Sequence, residues 1–395
     1  MTQYASRAII LLLCIIIIVA GLIAHYNLVH TENKNKPIVH LIYASSGSVL
    51  QLLDTGQIDG FLVWEPIPEE ARLSGVGKIV ANVDDLPPKH FWAKLPCCVL
   101  VIRNSVIEKN PEIATLLSAL TIAGNEFILE NTSDAINDTT RWLYGSKNII
   151  VGQSVLNPHD VETESFKELD FNYPRDPGGS QNIGNMKNMV YNRTGYVSQT
   201  GIMEDAYSLL YNNTTKLYNS TDLTINIGYL STDHHAPLFV LMPEWSSIYS
   251  RYGIAIAPDK EPSGKKQLDG TILVREDGKD ISVAKIHLVP GQSGGGLMTA
   301  VGQGAIDAAF VGSVPAMTQI NLGNPSQIIQ PVQAGGSSLV VDPGAPCTDW
   351  TSFVSWGKNR SDSGVPLKIA TVQSSIQEDM IRESLKTEGF SVELV

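Results

Sequence analysis

Five short turns hold most of the residues that could grip a small molecule. They are Ser45-Ser46-Gly47-Ser48, Ser231-Thr232-Asp233-His234, Gln292-Ser293-Gly294-Gly295-Gly296, Gly312-Ser313 and Gln373-Ser374-Ser375. Each follows an apolar run that reads as a strand, and most precede a run at helical spacing. The first N–H groups of a helix have no partner inside it, and the positive end of its dipole attracts negative charge. Turns of this kind suit oxyanions and strongly polar groups. Ligands of open α/β sheets also sit at the carboxyl ends of the strands. Ser and Gly cap helices everywhere, so no single turn decides the matter; convergence of several on one cleft would.

Trp64-Glu65-Pro66 ends another strand. Trp64 could stack on a flat ligand or pack between two lobes, and Glu65 could accept from an amine. Asp233 with His234-His235 raises the question of a metal. Adjacent histidines on such a turn point apart and no second ligand cluster is visible, so neither metal nor cofactor is expected. Cys97-Cys98 lacks C-x-x-C spacing and reads as buried packing. G-x-S-x-G, H-E-x-x-H and P-loop patterns are all missing, and no residue is assigned a catalytic role.

Two strand-helix-strand units would position these turns. In the first, Ile38–Ala44 is a strand, Val49–Leu53 a short helix, Gly56 its stop and Ile58–Val63 the returning strand. In the second, the parts are Ile286–Val289, Leu297–Val301, Gly304 and Ile306–Val311. GSVLQLLDTGQIDGFLVWEP and GGLMTAVGQGAIDAAFVGSVP share an apolar helix followed by G-x-I-D, which predicts two similar α/β lobes. Asp59 and Asp307 are expected to cap or orient their strands. Asn104–Trp142 is largely helical, Pro237–Tyr252 is one helix, and Lys260–Lys285 forms a surface hairpin.

The 395 residues carry a net charge of -12 with no basic stripe, so nucleic acid is excluded as a partner. Arg7 precedes an uncharged run, Ala8–Ala24, whose length of roughly 25 Å is marginal for a bilayer. It reads as an uncleaved signal-anchor with an extracytoplasmic domain behind it; a cleaved signal peptide is the alternative. N-x-S/T sites at Asn131, Asn137, Asn192, Asn212, Asn213, Asn219 and Asn359 agree with export and suggest a glycoprotein. Cys97, Cys98 and Cys347 beyond the anchor form no disulfide framework.

TGQIDGFLVWEP, PCCVLVIRNSVIEKNP, INIGYLSTDHHAPLFV, GQGAIDAAFVGSVPA and QAGGSSLVV resemble the nitrate, sulfonate and taurine group of ABC importer substrate-binding proteins. The resemblance implies a two-lobed periplasmic-binding-protein type II fold, with solute in the cleft and an ABC permease and its ATPase as partners. It covers most of residues 38–200 and 223–395, but the order differs: the second-lobe piece comes first here. The expected organisation is therefore a circularly permuted domain, or one cut from a tandem gene. Residues 1–36 would be anchor and linker and 37–103 the first part of lobe II. A helical segment, 104–221, would pack on lobe I (222–345), and 346–395 would return to lobe II. Leu367–Val395 should then pack beside Ile38–Pro88, with hinges near Leu339–Asp342 and Cys98–Arg103. A membrane-anchored ligand sensor, or an enzyme similar to thiamine-pyrimidine synthases, are the alternatives.

Overall fold

The computed structural model describes residues 36–172, 200–211, 218–219, 222–260 and 266–395. The anchor run and Asn192, Asn212 and Asn213 lie outside the described residues. In chain order the first strands are β1 (Ile38–Tyr43), β2 (Gly60–Trp64), β3 (Lys78–Asn82), β4 (Pro96–Arg103), β5 (Ile149–Val151), β6 (Ser154–Leu156) and β7 (Leu169–Asp170). There follow β8 (Thr224–Leu230), β9 (Ile254–Pro258), β10 (Asp269–Glu276), β11 (Lys279–Gly291) and β12 (Ala308–Gly312). The last are β13 (Ser326–Gly335), β14 (Ser337–Val341), β15 (Leu367–Thr371) and β16 (Ser391–Leu394).

One sheet has the order β16-β1-β15-β2-β14-β3, the other β7-β13-β4-β12-β8-β11-β10-β9. Within them lies a shared five-strand pattern. In the first, β1, β15 and β2 are parallel, and β14 and then β3 follow antiparallel. In the second, β11, β8 and β12 are parallel, and β4 and then β13 follow antiparallel. The two expected lobes are thus built alike. β2 and β4 are apolar and buried along nearly their whole length, as strands covered on both faces are.

The repeated G-x-I-D does the same structural job twice. Asp59 accepts from the Lys368 N–H at 2.8 Å and pairs with Arg360 at 3.1 Å. Asp307 accepts from the Asn226 N–H at 3.0 Å and pairs with Arg103 at 2.7 Å. Each aspartate fastens the start of the neighbouring parallel strand to its own.

The C-terminal segment meets the N-terminal one in a single sheet: β15 and β16 flank β1, both parallel to it. β4 belongs to the eight-stranded sheet and β14 to the six-stranded one. Lobe boundaries therefore fall one strand earlier than residues 103 and 345. The crossings are Gly335-Gly336 and the stretch from β3 to β4, not the strands named as hinges. β4 and β14 are both buried along nearly their whole length, with no alternation to mark a face, so pattern alone could not assign them to a sheet.

The helix Pro111–Glu130 is long and apolar enough to cross a membrane, yet 89% of its most apolar window is buried inside the fold. Asn125 Nδ2 donates to the carbonyls of Phe171 and Val332 at 2.9 Å, tying the helix to β13. The expected helix Pro237–Tyr252 is split into Ala236–Phe239 and Trp245–Tyr252. Pro243 between them lacks an N–H and clashes with the preceding turn. Instead of a lone hairpin, β9, β10 and β11 form an antiparallel meander.

Candidate functional site

A cavity of about 560 Å³ lies between the lobes, at the carboxyl ends of their strands. From the six-stranded lobe come Ser45 and Ser46 after β1, Trp64 at the end of β2, and Val372 to Gln377 after β15. The eight-stranded lobe supplies Leu230 to Thr232 and His234 after β8, and Pro290 to Gly295 after β11. It also supplies Gly312, Pro315, Thr318 and Gln319 after β12, and Cys97 and Cys98 on β4.

Twelve of the expected residues therefore line one cavity: Ser45, Ser46, Trp64, Ser231, Thr232, His234, Gln292, Ser293, Gly294, Gly312, Gln373 and Ser374. The other three do not line it. Ser313 is buried behind Gly312, and Asp233 is fully buried, accepting hydrogen bonds from Ser165 and Thr232. Glu65 is fully buried too, and its Oε2 accepts from the Glu69 N–H at 3.2 Å. Burial first, then the nearby Asp233 and Glu69 charges, pushes the Glu65 carboxyl well above its ordinary range. It lies inside the lobe interface and off the cavity wall, so it is not placed to partner an amine there. Strand alternation turns it away from the face that Trp64 occupies.

At two of the turns the local sequence builds the helix start directly. Ser293 Oγ accepts from the Gly296 N–H at 3.1 Å, opening the helix Gly294–Gln303. Ser375 Oγ accepts from the Glu378 N–H at 3.2 Å and opens Ile376–Thr387. Gly294 and Gly295 have no side chains to cover the N–H groups of their turn. A Cβ on Gly295 would meet nothing within 4 Å.

Three polar contacts tie the lobes across the cavity floor. Thr232 Oγ1 donates to the Glu65 carbonyl at 3.0 Å, and His234 Nε2 lies 2.9 Å from the Gly336 carbonyl. Gln377 Nε2 approaches Cys97 Sγ at 3.5 Å. The histidines do point apart. His235 turns inward against Phe310, and burial depresses its pKa to about 3, so it is neutral. For His234, burial alone would lower the pKa, but the facing Cys97 and Asp233 raise it. A hydrogen bond from Cys98 holds the Cys97 thiol well below its usual range and raises Cys98 correspondingly. Cys97 and Cys98 were missed by motif, because nothing local connects Cys98 to His234, 136 residues on. Gln377, in the first turn of the helix that Ser375 opens, could have been found from that cap.

Residues 21–143 match the NMT1-like family. That match takes in β1 to β4, with Ser45, Ser46, Trp64, Cys97 and Cys98. The NMT1-like family is a solute-binding family of ABC-type transport. An uncharacterized protein of Methanocaldococcus jannaschii is 29% identical over 106 residues, covering 27% of this chain and 68% of the relative.

Next to the site, Glu70 accepts from the Tyr144 hydroxyl at 3.0 Å, and burial pushes its pKa up to about 7. The unfolded value is about 4.5. Between the two, the folded state keeps a proton that the unfolded state has lost, so stability falls as pH rises through this window. Urea unfolding at pH 4.5, 6 and 8 should show that decline. Glu70→Gln should reduce it by on the order of 2 kcal/mol, leaving the part due to the other raised carboxyls, among them Asp138 and Asp379 at about 7 and the buried Glu65 and Glu162.

Proposed function

We propose that the chain is an extracytoplasmic solute-binding protein that delivers a small polar or anionic solute to an ABC permease and its ATPase. Residues 8–24 would tether it to the membrane. The observation that carries this is the meeting of strand-end turns from both lobes in one cavity. Among its described lining residues there is no Asp, Glu, Lys or Arg, although the chain carries a net charge of -12. Recognition then falls to hydroxyls, carboxamides and backbone N–H groups, with Trp64 offering a face for stacking. Nitrate-, sulfonate-, taurine- or pyrimidine-like solutes suit such a wall. A solute that touches both lobes favours their closed arrangement about the two crossings.

The rotated element order is part of this proposal. Lobe I runs β8, β11, β12, β13 and then crosses to β14; lobe II follows the same path only when β15 is placed before β1, β2, β3 and β4. A thermal-shift panel of nitrate, alkanesulfonates, taurine, aromatic acids and pyrimidines tests the solute assignment. One class should raise the Tm in a concentration-dependent way. No shift with any class would count against the importer role.

A further inference from the structure

The structure assigns the cleft floor a second role: Cys97, Cys98 and His234 form a three-donor site for Zn2+, with the fourth position facing the cavity. One sulfur from each cysteine and one ring nitrogen of His234 all lie within 4.8 Å of one another. Cys98 Sγ and His234 Nδ1 are 3.9 Å apart. A tetrahedral zinc with Zn–S of about 2.3 Å and Zn–N of about 2.0–2.1 Å sets ligand-to-ligand edges of roughly 3.5–3.8 Å, so small side-chain movements close the site.

Two features of the backbone prepare it. Neighbouring residues of a regular strand point to opposite faces, yet both cysteines line the cavity. The reason is a bulge: β13 pairs Gln333 with Cys98 and Ala334 with Pro96, leaving Cys97 as the inserted residue. The second feature is the histidine's outer partner. A carbonyl can only accept, so the Gly336 oxygen 2.9 Å from Nε2 fixes the proton there. Nδ1 is thereby aimed at the sulfurs, the arrangement in which a ligating histidine donates its other N–H to a backbone carbonyl. Two thiolates neutralise the ion, which suits residues only 1–5% exposed. Binding would release the protons that the two sulfurs otherwise hold.

The full-length chain, reduced and freed of metal with a chelator, is titrated with Co2+ and then with Zn2+. One Co2+ per chain should give thiolate-to-cobalt charge-transfer absorption and the intense visible bands of a tetrahedral site, displaced by one Zn2+. C97S and C98S should each lose at least tenfold in Zn2+ affinity. Should either variant fail to fold, alkylation of the natural chain decides. Zn2+ should protect Cys97 and Cys98 while Cys14 and Cys347 react at their metal-free rates. Faint octahedral cobalt bands, unchanged affinity in a folded variant, or unprotected thiols would overturn the assignment. No solute enters this test, so it can fail while the solute reading stands, and the reverse.

Discussion

Gly336→Val is expected to destabilise the protein by about 3–5 kcal/mol and to abolish any solute-induced rise in Tm. Gly336 is the single residue between β13 and β14, and it sits at a left-handed φ of +67°. A Cβ there would lie 2.4 Å from Leu169 Cδ2 and 2.6 Å from His234 Nε2. Its N–H donates to the Glu168 carbonyl at 2.8 Å, and its own carbonyl accepts from the Glu65 N–H and from His234 at 2.9 Å each. Any shift that relieves the clash therefore pulls on both lobes. Gly278→Ala is the control: its φ is +73°, but nothing lies within 4 Å of a Cβ, so only the backbone cost of about 1 kcal/mol remains. Urea unfolding of both variants measures the difference. Equal losses would mean that the crossing is not tightly packed.

Asp59→Ala and Asp307→Ala should each cost about 2–3 kcal/mol, and their effects should add in the double variant. Removing either carboxylate strands a backbone N–H and leaves a partly buried guanidinium, Arg360 or Arg103, without its anion. Asn in place of Asp keeps an acceptor for the N–H and should recover about half of each loss. The two sites share no partner, so additivity within about 0.5 kcal/mol is expected from chemical denaturation. A neutral result at one site alone would break the equivalence of the two lobes.

These aspartates also mark how much was legible beforehand. G-x-I-D recurs because each lobe needs a carboxylate at the same point of the same strand-helix-strand path, and a local motif survives in sequence. The strand-end turns were legible for the same reason: a cap and its helix lie within a few residues. Their convergence was not, since β8 and β15 meet across a cleft only once both sheets have formed. Glu65 was misplaced by one step of strand alternation, which puts Trp64 on the cavity and its neighbour inside. Cys97 was illegible in the opposite sense. It reaches the cavity because a bulge breaks the alternation, and the register that makes the bulge is set by β13, more than 200 residues away.

A solute is proposed to occupy the cavity between the lobes. Gly295 lines that cavity, is exposed, and faces open space where a side chain would begin. Gly295→Trp should therefore fill the cleft while leaving the ligand-free Tm within about 2 °C of the natural chain, as exposed substitutions do. Thermal shifts of the two proteins with whichever solute stabilises the natural chain give the direct comparison. A clear shift is expected for the natural chain and none for the variant. An equal shift in both would place the solute elsewhere and contradict that proposal.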